Sequence, residues 1–283
     1  MSRTVYLDGR FVPFEEARVP IMDRGFLFAD GIYEVSAVLD GRLVDNAAHL
    51  ARLDRSLSEI GIANPHTIEA WTRLQIDLVA RNGLTEGLVY MQVTRGVAER
   101  DFAFPAAGTP PTVVMFTQGK AIRANPLAET GAKVVTVEDL RWKRRDIKSV
   151  ALLAQVLAKQ AAAAAGVAEA WMVEDGAVTE GSSSTAFIVT GDDRIVTRPL
   201  STAILPGITR KAVLRLAAEG GLGIEERPFS VEEAYAAAEA FYTSASAFVM
   251  PVVAIDGRPV GEGRPGPRTR RLRELYLAMA SES

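Results

Sequence analysis

The chain of 283 residues contains no cysteine. That absence removes disulfides, thiolate zinc sites, iron–sulfur clusters and cysteine nucleophiles. Histidine is nearly missing too: His49 and His66 are the only two, which argues against a histidine-rich metal site or a histidine-based triad. No apolar run approaches the roughly 18 residues needed to cross a bilayer. The opening Met1-Ser2-Arg3-Thr4 leads into a strand-like segment instead of a leader. Neither sign of charge dominates. With 32 basic against 35 acidic residues the net charge is −3, so no overall field draws the chain to nucleic acid or an anionic membrane. Small molecules are the expected partners and the cytoplasm the expected location.

What is present reads as a soluble α+β protein, a mixed α/β fold too long for one core and better packed as two domains. The expected division is a small N-terminal α+β domain over 1–118, a linker over 119–126 and a larger, strand-rich C-terminal domain with helices over 127–283. Residues 6–12 and 35–44 each set Asp-Gly between apolar flanks, the commonest short hairpin signal. From Asp45 the period becomes helical, with Leu50, Leu53, Leu57 and Ile60 on one face and Gly61 as a stop. A second helix is expected over 68–81, then strands over 88–94 and 112–117. Residues 119–126 carry no clear period and two breakers, which places the linker there.

Beyond the linker, a strand is expected over 133–137 and a helix from Val150, capped by Ser149 and ending in the alanine run before Gly166. Asp175-Gly176 turns another hairpin, which leaves Glu180 at a strand end before Ser182-Ser183-Ser184. Strands follow over 185–189, 194–197, 240–244 and 249–255. Helices are expected over 209–218 and 231–239, the latter opened by a Ser230/Glu233 capping box, and a basic helix from about Arg268 closes the chain.

Three segments carry chemistry. Lys148 follows the basic run Arg141-Trp142-Lys143-Arg144-Arg145, where most lysines are solvated charges, yet it stands at a strand-to-helix junction where loop side chains converge on clefts. There its amine can be desolvated and made nucleophilic. Glu180 is either an exposed strand end or a carboxylate able to hold a protonated pyridine ring. Leu205-Pro206-Gly207-Ile208-Thr209-Arg210 is ordinary helix punctuation or a phosphate cradle, since a helix N-terminus offers free N–H groups and about half a positive charge. Arg52 lies off the Leu50, Leu53, Leu57 stripe, and periodicity alone turns it to solvent.

Together with Asp23-Arg24-Gly25, Phe28-Ala29-Asp30-Gly31-Ile32-Tyr33-Glu34-Val35, Gln92-Val93-Thr94-Arg95-Gly96 and His49-Leu50-Ala51-Arg52-Leu53, these segments resemble the fold type IV aminotransferases. These are pyridoxal 5'-phosphate enzymes, and Tyr33-Glu34-Val35 and Thr94-Arg95-Gly96 look most like the D-amino acid aminotransferases. The resemblance implies a Schiff base on Lys148, which then shuttles the substrate proton. It implies cofactor binding by Arg52 (phosphate), Glu180 (ring nitrogen), Leu205 (ring face), Gly207, Ile208, Thr209, Ser244 and Ala245. It implies a substrate pocket of Tyr33, Tyr90, Arg100 and Phe102, with Arg100 lent across a homodimer that shares its active sites. The implied reaction is ping-pong transamination between a D-amino acid such as D-alanine and a 2-oxo acid. Two departures stand out. Phe102 occupies a position where the family pattern has histidine, and the late loop reads Thr243-Ser244-Ala245-Ser246-Ala247-Phe248, poorer in threonine than usual and without its closing acid. Phe102 keeps an R-selective amine transaminase in view, beside a branched-chain L-aminotransferase, an aminodeoxychorismate lyase and a non-catalytic binding protein of the same fold.

Overall fold

The structure, a computed structural model, describes residues 3–282; Met1, Ser2 and Ser283 lie outside the described residues. The chain divides into two compact units, residues 3–121 with 147–151, and residues 122–146 with 152–282. The short return Ile147–Ala151, which carries Lys148, thus belongs to the first unit although it lies in the second half of the sequence.

The first unit runs β1 (Thr4–Leu7), β2 (Arg10–Pro13), α1 (Arg24–Phe28), β3 (Gly31–Leu39), β4 (Arg42–Leu43), α2 (Asn46–Glu59), α3 (Ile68–Arg81), β5 (Glu86–Thr94) and β6 (Thr112–Gly119). Its strands form an antiparallel sheet in the order β2-β1-β6-β5-β3-β4. Asp8-Gly9 and Asp40-Gly41 turn the two outer hairpins with positive φ at both residues, 44° and 88° in the first and 52° and 75° in the second, the backbone that matches strand twist. Leu50, Leu53 and Leu57 of α2 pack with Ile32, Val38, Val89 and Met91 of the sheet, and Thr67 caps α3 by accepting the Ala70 N–H. Trp71 is buried in the same cluster, its indole N–H donating to Asn64 Oδ1 at 2.9 Å.

The second unit runs α4 (Pro126–Thr130), β7 (Ala132–Glu138), α5 (Leu153–Ala164), β8 (Glu169–Glu174), β9 (Ala177–Gly181), β10 (Thr185–Val189), β11 (Arg194–Thr197), α6 (Ile208–Glu219), β12 (Gly223–Glu226), α7 (Val231–Tyr235), β13 (Glu239–Ser244), β14 (Phe248–Ile255), β15 (Arg258–Pro259) and α8 (Pro267–Glu282). Its mixed sheet has the order β12-β11-β10-β13-β14-β7-β8-β9, with β15 paired to β14. Val134, Trp171, Ala186, Phe229, Tyr242 and Met250 belong to its main core.

Three local expectations change. The helix expected from Val150 begins at Leu153, and Ser149 does not cap it; Ser149 and Val150 pair with β3 instead. The helix expected to reach residue 239 stops at Tyr235, because Glu239 starts β13 and its carboxylate accepts the N–H groups of Arg268 and Thr269 at 2.9 and 2.8 Å. Within the stretch read as linker, the Asn125 side chain accepts the Leu127 N–H and opens the short α4 with Pro126 in its first turn.

Trp71→Ala is expected to cost about 3–5 kcal/mol of unfolding free energy, the range for emptying a buried aromatic site. Urea denaturation measures it, and a loss below about 1 kcal/mol would contradict the placement of Trp71 at the centre of this core.

Candidate active site

In the first unit, β3 sorts its side chains by pleat. Ile32 and Val38 join the core beneath α2 and α3. Glu34 and Ser36, in phase with them, bond to groups of those helices. The alternate residues face the other way, and there Tyr33, Tyr90 and Phe116 form a stacked row with centroids 5.6 and 4.7 Å apart. Between Gly31 and Tyr33 the edge of β3 is paired not by a strand but by the Lys148 segment. Tyr33 N–H donates to the Lys148 carbonyl at 2.9 Å, Val150 N–H donates to the Gly31 carbonyl at 3.0 Å, and Ser149 bridges Ile32. Lys148 N–H also points at Ser56 Oγ, 3.4 Å away. The Lys148 ammonium lies 4.2 Å from the centre of the Tyr33 ring, a cation–π contact on the aromatic face.

Glu34 is fully buried, and its carboxylate receives Arg52 Nε at 2.6 Å, Arg52 Nη2 at 2.9 Å and His49 Nδ1 at 2.9 Å. Burial alone would push the Glu34 carboxyl up, but the Arg52 guanidinium and the His49 bond outweigh it and hold it well below the usual carboxylate range. Arg52 is therefore not turned to solvent, as its place on the helix wheel suggests: it is 8% exposed, and a two-pronged bond fixes the plane of its guanidinium.

The loop after β5 carries Arg100 and Phe102. Arg24 Nη1 donates to the Asp101 carbonyl at 2.7 Å, and the Arg95 guanidinium lies 3.6 Å over the Phe104 ring. Arg24 and Arg95 themselves share Asp30 Oδ2 at 2.8 and 2.7 Å. The Arg100 guanidinium sits 5.3 Å from the Phe28 ring centre and 5.5 Å from that of Phe102, with no hydrogen bond or ion pair among the described residues. Phe102 is 79% exposed.

In the second unit, Glu180 is the penultimate residue of β9 and its carboxylate is buried. Arg141 pairs with Glu180 Oε1 through Nη1 while its Nε and Nη2 grip Asp139 at 2.9 and 2.7 Å. The Leu205 N–H approaches Glu180 Oε1 and Oε2 at 3.2 and 3.3 Å. Burial raises the Glu180 pKa above its ordinary value, against the pull of Arg141 and the Leu205 N–H.

Gly207 caps α6, and among the described residues no side-chain cap bonds the start of that helix. A Cβ on Gly207 would stand 2.8 Å from Thr185 Oγ1, and Thr185 pairs with Thr243 across β10 and β13. Thr243 Oγ1 is buried with no partner among the described residues. Ser244 ends β13 and Ala245 opens the turn to β14, with the Ser244 and Ser246 hydroxyls 3.4 Å apart. An uncapped helix N-terminus, a side-chain-free approach and an orphaned hydroxyl fit a phosphate. A buried carboxylate with capacity left on Oε2 fits a protonated ring nitrogen. The residues present thus fit pyridoxal phosphate.

The first unit gathers Lys148, Tyr33 and Tyr90 on one sheet face, Arg52 beneath the other, and Arg100 with Phe102 on a pinned loop. The second gathers Glu180 with Leu205, and Gly207, Ile208 and Thr209 beside Thr185 and Thr243. Sequence reasoning overlooked Glu34 and Arg141. Glu34 carried a signal, since it falls on the apolar phase of β3 with Ile32 and Val38. Arg141 carried none, being one cation in a basic run whose partner lies 39 residues on.

The class IV aminotransferase family matches residues 31–255. The chain is 41% identical over 272 residues to a D-alanine aminotransferase of Staphylococcus aureus, with 96% of each covered. It is 41% identical over 281 residues to that of Bacillus licheniformis, with 99% of this chain and 98% of the relative covered. The T.th. branched-chain amino acid aminotransferase solved with pyridoxamine 5'-phosphate superposes with a TM-score of 0.92 at 27% identity, covering 100% of this chain and 96% of that one. With its family match spanning most of the described strands and a likeness to curated relatives that runs almost end to end, the chain belongs to the class IV aminotransferases, which are pyridoxal phosphate enzymes.

Proposed function

We propose that this enzyme moves an amino group between a D-amino acid, with D-alanine as the reference substrate, and a 2-oxo acid, in two half-reactions of ping-pong order. The observation that carries the reading is the 41% identity, over nearly the whole chain, to proteins named D-alanine aminotransferase. When bound, pyridoxal phosphate supplies an aldehyde that takes up amines and a ring that accepts the electrons of the substrate Cα–H bond. Lys148 offers the amine that would hold this aldehyde at rest and the base that would take the proton from the substrate Cα. Glu180 would pair with the ring nitrogen and keep its proton in place. In the second unit the N-terminus of α6, with Gly207, Ile208 and the Thr209 hydroxyl, and the Ser244-Ala245 backbone would hold the phosphate, a group for which the family resemblance also names Arg52. Leu205 would pack on the ring, and Tyr33 and Tyr90 would wall the substrate.

Arg100 receives the substrate carboxylate from a neighbouring subunit in a cytoplasmic homodimer. Its lack of an ion partner among the described residues supports that role. Leu153, Val156 and Leu157, exposed together along α5, support association, since contiguous apolar surface is sparing on monomers. Phe102 beside Arg100 replaces a donor with an apolar ring, so the pocket grips a carboxylate with fewer charge-assisted bonds and accepts an apolar group more readily.

Borohydride reduction of the holoenzyme, followed by peptide mapping, is expected to place the cofactor on Lys148; a label on any other lysine contradicts the assignment. Arg100→Ala is expected to raise KM for D-alanine about tenfold or more, through loss of a charge-assisted bond, while an apolar R-amine keeps its turnover. Phe102→His is expected to move preference toward D-alanine by restoring a donor. If both variants treat the two substrates alike, this loop does not read the carboxylate.

A further inference from the structure

Glu180 is a costly group to keep ionised, because it is 4% exposed and burial favours its neutral form. The surrounding charges act against neutralisation. Asp139, Arg141, Arg145 and Glu180 form a buried quartet: Arg141 bridges Asp139 and Glu180, and Arg145 lies 3.3 Å from Asp139. Guanidinium groups do not release their proton in proteins. Asp139 and Glu180 are the two carboxylates on Arg141, so a proton on Glu180 would remove one of the two anions that compensate its buried guanidinium. Arg145 also grips Glu174 at 2.8 Å, at the solvent end, where the exposed Lys143 ammonium stands 3.7 Å from Glu174. Glu174 thus balances Arg145 from the solvent side, and the cation that bears directly on Glu180 is Arg141.

The geometry adds direction to charge. Arg141 spends Nε and Nη2 on Asp139, which fixes the plane of its guanidinium, and the remaining arm engages one oxygen of Glu180. Asp139 is itself held by the Thr179 hydroxyl at 2.6 Å, one residue before Glu180 on β9. With Oε1 taken, Oε2 receives only the long Leu205 contact at 3.3 Å and is the oxygen left for a donor.

We propose that Arg141 is the positioning residue that keeps Glu180 ionised and presents its Oε2 to the ring nitrogen of the cofactor. The inference rests on the reading that Glu180 serves that nitrogen, and the two can fail separately. The comparison is between pyridoxal phosphate and its analogue with C–H in place of the ring nitrogen, each titrated into the apoprotein.

The wild-type protein is expected to prefer the nitrogen-bearing ligand by about tenfold or more, the scale of a charge-assisted bond. Arg141→Met should lose most of that preference, and Arg141→Lys should keep much of it. Glu180→Gln should lose it as well. If Arg141→Met keeps the wild-type preference while Glu180→Gln loses it, Arg141 is only structural and the inference falls; if Glu180→Gln also keeps it, the role of Glu180 falls first. Infrared spectra of the wild-type apoprotein decide the matter without an Arg141 variant. A protonated carboxyl band at neutral pH that disappears in Glu180→Gln would overturn the proposal, and its absence is expected.

Discussion

The pleat of β3 is the constraint from which the first unit's chemistry follows. Because successive side chains of a strand point to opposite faces, Glu34 is delivered beneath α2, where it orders His49 and Arg52, while Tyr33 is delivered to the aromatic face with Lys148 above it. The same strand leaves an edge free between Gly31 and Tyr33, and backbone bonds from that edge hold the Lys148 segment. A slip of one residue in this register would exchange the two faces and separate Arg52 from its carboxylate. β9 plays a corresponding part in the second unit: Thr179 reaches Asp139, and Glu180, the next residue, meets Arg141. In both units a buried arginine–carboxylate pair fixes an expected site residue.

Much of this was legible in the chain because local rules agreed with the final structure. The Asp-Gly hairpins, the leucine stripe of α2, the limits of α3 at Ile68 and Arg81 and the Ser230/Glu233 capping box all depend on neighbours a few residues away. What stayed hidden depends on distant partners. Ser149 has the chemistry of a helix cap, yet the edge of β3 claims it, and no pattern near residue 149 announces that strand. Arg52 has the phase of a surface residue and is buried because Glu34, on another element, neutralises it. Arg141 reads as one of several solvated cations until Asp139 and Glu180 enclose it. Tertiary ion pairs of this kind leave no period in a sequence.

The substrate question turns on few atoms. A TM-score of 0.92 to a branched-chain enzyme beside 41% identity to D-alanine aminotransferases shows that one backbone serves both names, so overall shape does not choose between them. The choice lies with the groups that meet the substrate carboxylate and side chain. Arg100, flanked by Phe28 and Phe102 and without an ion partner among the described residues, is the cation proposed for that carboxylate. The aromatic neighbours lower the cost of a flat or apolar substituent and add no hydrogen bond to an anion, which keeps an R-selective amine activity as the nearest alternative within the fold. A purely binding protein of this fold would have no use for the Lys148 amine.

Stereochemistry tests the central claim most directly. The holoenzyme is incubated in heavy water with pyruvate and either D-alanine or L-alanine, and the α-proton of alanine is followed by proton NMR. A base acting on the D-isomer washes out the D-alanine signal at a rate tracking turnover and leaves L-alanine intact. Exchange into L-alanine with D-alanine untouched would contradict the account and return the chain to the L-aminotransferases.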